Sequence, residues 1–223
     1  MKRKKTWLLL AMLLAVSLLV WKIFASASAP ASVISPSQLH TTSTAADVTD
    51  TGILQLVNRA HAVSGEPAQL VPAYPAVAVR ETGILLRPEA LEALRTMFAQ
   101  AKAEGIEGLY LSSGYRSYGE QARVYAQAKD KSYAQPPGHS EHQTGLAADI
   151  LALDISQERF GSSKQGRWLA QNAWRFGFIL RYPEGKQGIT GIAYEPWHFR
   201  YAGLPHARYC YENNLCLEEY LEK

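Results

Sequence analysis

The stretch PPGHSEHQTGLAADILAL, residues 136–153, constrains the fold more than any other part of the chain. Pro-Pro-Gly opens a loop, polar residues follow, and the apolar run over 147–153 then reads as a strand. Two of the six histidines, His139 and His142, fall in the loop, and Asp149 lies in the strand seven positions after the second. On a straight strand, seven residues at ~3.3 Å each would hold His142 and Asp149 roughly 23 Å apart. They meet only if the loop folds back, and Gly145 is the residue placed to make that bend.

The surrounding pattern mixes helices and strands. Residues 88–104 read as a helix, with Pro88 in its first turn, Leu91, Leu94, Phe98 and Ala101 on one stripe, and Gly105 at the stop. A strand is expected over 106–112. A second helix is expected over 117–129, with Tyr118, Ala122 and Tyr125 on its stripe. Leu169, Ala173 and Phe176 mark a third, closed by Gly177. Further strands are expected over 178–182 and 193–201. Without regular βαβ alternation, this order predicts an α+β fold with a largely antiparallel sheet.

The 223 residues suffice for one domain with appendages, and 47% hydrophobic with 19% charged residues is ordinary for a globular chain. The net charge of +3 misleads, because Lys2, Arg3, Lys4, Lys5 and Lys22 precede residue 30 with no acidic residue among them. The remaining 18 basic residues face 20 acidic ones, so the body carries about −2 and offers no basic field for nucleic acid. Four basic residues followed by an apolar run from Trp7 to Trp21, with Ala25, Ala27 and Ala29 beyond, make 1–25 a signal peptide or a membrane anchor. Residues 26–50 are rich in Ser, Thr, Ala and Pro and read as a flexible stalk, leaving 51–223 as the folded domain. Export would permit Cys210 and Cys216 to pair, provided the helix breaks at Asn213-Asn214; two small buried thiols are the other reading.

A catalytic zinc site keeps three protein ligands and an open position for water. His142 and Asp149 supply two, and YEPWHFRY, residues 194–201, offers His198 as a third, with Glu195 three positions earlier. A glutamate beside a metal but not bound to it can take a proton from a water the metal acidifies. Arg116, in SSGYRS, could hold an oxyanion or a substrate carboxylate through its planar fork. Each residue alone has a plainer explanation: a loop histidine is usually a surface or hydrogen-bonding group, and a strand-end glutamate a solvated charge.

Taken together the motifs are specific. Ser140 to Asp149 match the S-x-H-x-x-G-x-A-x-D pattern of the VanY-type D-alanyl-D-alanine carboxypeptidases, Glu195-Pro196-Trp197-His198 their E-x-W-H element, and Ser113 to Ser117 their S-G-Y-R-S element. The chain resembles that family from about residue 52 to its C-terminus. The resemblance implies a zinc peptidase of the cell wall on a fold shared with the Hedgehog signalling domain, a small antiparallel sheet with flanking helices. It implies His142, Asp149 and His198 as Zn2+ ligands, Glu195 as general base and Arg116 as stabiliser of the tetrahedral intermediate or substrate clamp. Gln121 and Ser140 would touch substrate. His139 matches no ligand position. The expected substrate is a peptidoglycan stem peptide losing its C-terminal D-alanine. An LD-carboxypeptidase, an endopeptidase and a non-catalytic wall-binding module stand as alternatives.

Overall fold

The computed structural model describes residues 52–222; the segments read as signal or anchor and as stalk lie outside them. A two-stranded ribbon, β1 (Val71–Pro72) with β2 (Leu85–Leu86), leads into helix α1 (Pro88–Ala103). Then follow β3 (Leu109–Ser113), α2 (Tyr118–Gln127), two short 3-10 turns at Lys131–Tyr133 and Glu141–Thr144, and β4 (Ala147–Ala152). Helices α3 (Gln157–Phe160) and α4 (Lys164–Asn172), a 3-10 turn at Ala173–Phe176, β5 (Phe178–Leu180) and α5 (Gln187–Thr190) precede β6 (His198–Tyr201). Helices α6 (Leu204–Glu212) and α7 (Leu217–Leu221) complete the described chain. The main sheet runs β3-β4-β6-β5 with every pairing antiparallel, so the expected α+β class is the observed one.

One face of this sheet is the core. Leu111, Ile150 and Phe199 point into it and belong to one buried apolar cluster with Leu91, Leu94, Met97 and Ala101 of α1. Helix α1 starts on Pro88 with Glu89 in its first turn and ends with Lys102, charges that complement its dipole. Gly105, at φ 74°, adopts the left-handed conformation expected at the stop.

Several expectations need correction. Strand β5 ends at Leu180 rather than at 182. Strand β3 begins at Leu109 rather than at 106, because Gly108 turns the chain at φ 78°. The strand expected over 193–201 is only His198–Tyr201. Before it the chain makes a turn in which His198 N donates to Glu195 O at 3.1 Å. In α2 the stripe of Tyr118, Ala122 and Tyr125 does not face the core: Tyr118 is 60% exposed, while Gln121 is 1% exposed. The helix opens on a capping box, in which the Ser117 side chain accepts from Glu120 N while Glu120 accepts from Ser117 N, and its inward face carries Gln121 towards a polar cavity rather than towards the apolar core.

The chain does break at Asn213-Asn214, with Asn214 at φ 53°, yet both cysteines are free and buried. Burial pushes the Cys210 thiol up to about 12 and Cys216 to about 11. Among the described residues no helix is long and apolar enough to cross a membrane.

Gly114, just after β3, packs so tightly that an added Cβ would sit 2.4 Å from Leu85 O and 2.8 Å from Ile84 Cγ2. Gly114→Ala is therefore expected to destabilise the domain by about 1–3 kcal/mol, read as a lower urea midpoint.

Candidate active site

Strand alternation sets the second face of the sheet. In β4, Ala148, Ile150 and Ala152 go to the core and Asp149 to the opposite side; in β6, Phe199 goes to the core, and His198 and Arg200 to the opposite side. The register makes Asp149 and His198 direct cross-strand partners, which brings their side chains together. On the other side Asp149 faces Ser113, next to a register shift between Leu111 and Ser113 of the kind that re-aims residues beside active sites.

His142 arrives from the 3-10 turn Glu141–Thr144. Gly145 closes that turn at φ 70°, and its N donates to His142 O at 3.3 Å. The left-handed conformation is what favours glycine here; an added Cβ would also press on Leu70 Cδ2 at 2.8 Å and Arg87 Cγ at 3.1 Å, so both side chains would have to shift. The bend expected from the sequence is thus present. His142 Nε2 lies 3.3 Å from Asp149 Oδ2, and His198 Nδ1 lies 2.9 Å from Asp149 Oδ1.

These donors suit a divalent cation. All three ligand atoms lie within 4.8 Å of one another, and a tetrahedral ion with ligands at ~2.1 Å holds them roughly 3.4 Å apart. The outer nitrogens are also occupied: His142 Nδ1 lies 2.6 Å from Gly114 O, and His198 Nε2 lies 3.4 Å from Glu141 Oε2. With protons on those outer nitrogens, Nε2 of His142 and Nδ1 of His198 keep free lone pairs. Two imidazoles and one carboxylate match a zinc donor set.

The electrostatics agree. Burial would raise Asp149, but His142 and His198 outweigh it and hold the carboxyl far below the usual range. Burial, helped by Arg116, pushes His142 down towards the neutral form that binds metal. Burial opposes charge on His198 as well, yet its contacts with Asp149 and Glu141 raise it to about 9, so a metal must displace a proton there. Burial pushes Glu195 up to about 8 against the pull of His198 and Arg116. Burial lowers Arg116, although Asp149 and Glu195 favour its charge.

A cavity of about 800 Å³ opens over the triad. Arg116, Gln121, Ser140 and Glu195 line it with His142, Asp149 and His198, so every residue singled out from the sequence for the site is brought to one place. Glu195 Oε2 stands 3.9 Å from His198 Nδ1. Gln121 Nε2 donates to Gln135 O at 2.6 Å. His139 lies elsewhere: its Nδ1 contacts Asn58 O at 2.8 Å, which ties the loop to the start of the domain. Sequence reasoning missed Glu141, Gln135 and Tyr182, whose ring packs 4.8 Å from that of His198. It also missed Arg181 and Arg200. The available signal was an arginine inside each of the apolar strings FILRY and HFRY.

Two buried imidazoles and a partly exposed carboxylate, with Glu195 standing outside the triad at the floor of an open cavity, make the arrangement of a single-metal hydrolytic site. Residues 83–204 match the family model described as VanY, D-alanyl-D-alanine carboxypeptidase. The chain belongs to that family. YodJ of Bacillus subtilis (strain 168) is 44% identical over 185 residues, covering 77% of this chain and 67% of that protein. The D-alanyl-D-alanine carboxypeptidases of Enterococcus faecium and Enterococcus faecalis match at 42% identity, and the alignment covers about half the length of each, 46% and 52%. Among solved structures, the LD-carboxypeptidase LdcB superposes with TM-score 0.69 at 43% identity, covering 75% of this chain and 85% of that one. A mutant of the D,D-pentapeptidase VanY from a VanB-type vancomycin resistance cassette, in complex with Zn(II), gives TM-score 0.63 at 34% identity, covering 77% and 99%.

His198→Ala removes the donor that Asp149 holds across the sheet. The purified variant is expected to lose its metal by elemental analysis, and full occupancy would contradict the triad.

Proposed function

We propose that the protein is a zinc-dependent DD-carboxypeptidase that hydrolyses the C-terminal D-alanine from peptidoglycan stem peptides. The observation carrying this reading is Glu195, whose buried carboxyl sits on the turn before β6, 3.9 Å from the Nδ1 of His198 that faces Asp149. It is close enough to serve a water at the triad and stands outside the triad itself.

His142, Asp149 and His198 would hold the ion, which when bound supplies Lewis acidity and acidifies a water. Glu195 takes the proton from the attacking water and returns it to the departing amine. Arg116, with its guanidinium in the same cavity, offsets negative charge developing on the scissile carbonyl oxygen or grips the terminal carboxylate. Gln121 and Ser140 contact the peptide. Supporting this, Arg116 Nε, Gln121 Oε1 and both amide atoms of Gln135 are buried without a hydrogen-bond partner, a cost that a bound peptide's amides and carboxylate would offset. The basic and apolar N-terminus supports action outside the cytoplasmic membrane, with 1–25 either cleaved or kept as an anchor in contact with the bilayer.

LD-carboxypeptidase activity on the tetrapeptide stem is the second reading, favoured by the similarity to LdcB. Digestion of synthetic pentapeptide and tetrapeptide stems, followed by mass spectrometry, separates the two. The proposal expects free alanine from the pentapeptide and none after chelation. Tetrapeptide cleavage alone would move the assignment to the second reading, and internal fragments would move it to an endopeptidase.

Glu195→Gln should retain zinc while turnover falls by ~10²-fold or more. In the parent enzyme Glu195 works only as the carboxylate. Burial raises it to about 8 and a bound cation opposes that rise, so kcat/KM should fall as pH drops through a midpoint at or below about 8. A profile flat across the acid range would remove Glu195 as the base.

A further inference from the structure

The two histidines of the triad are oriented by different means. His142 is fixed by a backbone carbonyl, Gly114 O, 2.6 Å from its Nδ1. His198 has a carboxylate instead: Glu141 Oε2 lies 3.4 Å from its Nε2, and the Glu141 side chain is fully buried. The other oxygen of Glu141 accepts from Arg181 Nε at 2.7 Å and from Arg200 Nη1 at 2.9 Å. Both guanidiniums are buried and held from behind. Arg181 forks onto Glu218 with two contacts of 2.7 Å, and Arg200 Nη2 donates to the carbonyls of Ile53 and Gln55 at 2.9 and 3.1 Å.

Resting on the metal reading above, we propose that Glu141 is a positioning residue for His198. Its ionised carboxylate keeps the imidazole proton on Nε2, so that Nδ1, facing Asp149, is the metal donor. The two arginines matter because they keep Glu141 acceptor-only towards His198. An amide at this position would turn its oxygen to the arginines and its NH2 to His198. That contact favours the opposite tautomer, with the proton on Nδ1 where the metal must bind. A ligand histidine that loses such a carboxylate typically loses 10–100-fold in metal affinity.

The test compares two isosteric variants of the same buried cluster. Glu141→Gln is expected to weaken zinc binding 10–100-fold in competition with a chromophoric chelator. Glu218→Gln removes the same charge from the far side of Arg181 without touching His198. It should lower the urea midpoint yet leave zinc affinity within about twofold of the parent. Equal affinity losses in the two variants would reduce Glu141 to a structural role and overturn the inference, as would unchanged affinity in Glu141→Gln. A measurement on the unmutated protein stands even if Glu141→Gln does not fold. In the zinc-loaded state, nitrogen-detected imidazole spectra should place the His198 proton on Nε2, and a proton on Nδ1 would refute the proposal. If the parent bound no zinc, the metal reading and this inference would fall together; parent binding with an unaffected Glu141→Gln overturns this inference alone.

Discussion

The antiparallel register that sets Asp149 opposite His198 is the constraint from which the site follows. Alternation sends Ala148 and Phe199, adjacent partners in the same ladder, into the apolar core. A one-residue slip of β6 would exchange Phe199 with its neighbours, exposing an aromatic ring and burying a histidine or an arginine among aliphatic side chains. The packing of the core face therefore enforces the pairing on the other. What remains is to bring His142 into line, and the left-handed Gly145 with the tight turn before it does so.

Behind the site lies a buried cluster of alternating charge: Glu141, Arg181, Arg200 and Glu218. Such clusters contribute little net stability, because the desolvation of each ion offsets its pairing. Breaking one partner out of the set costs about 3–5 kcal/mol by leaving a bare charge. What the structure shows is how far apart in sequence its members and their partners lie. The cluster joins the start of the domain through Ile53, Gln55 and Asn58, strand β6 through Arg200, and the last helix through Glu218, all to the turn that carries His142.

Polar residues embedded in apolar strings marked the candidates in the sequence, and the resemblance of three motifs to the VanY-type family joined them into one site. The donor triad, Glu195 and Arg116 could be named from three short motifs, and the Gly145 bend from the length of an extended chain. Helix α1 was legible from its periodic apolar stripe and strand β4 from its short apolar run, because both bury an apolar face. Helix α2 was not, since its inward residue is Gln121 and it faces a polar cavity, where hydrophobic periodicity carries no signal. Glu141 escaped notice for a related reason. Its neighbour in sequence is a ligand, while the arginines that keep it charged come from β6 and the residue following β5, contacts visible only once the sheet is assembled.

The proposed chemistry requires one metal ion gripped by His142, Asp149 and His198 with Glu195 left free beside it. Diffraction from zinc-grown crystals, collected on both sides of the zinc absorption edge, tests it most directly. A single strong anomalous peak is expected about 2.0–2.2 Å from His142 Nε2, an Asp149 carboxylate oxygen and His198 Nδ1, with the Glu195 carboxylate beyond bonding distance. A peak ligated by Glu195, or no peak between the two imidazoles, would contradict it.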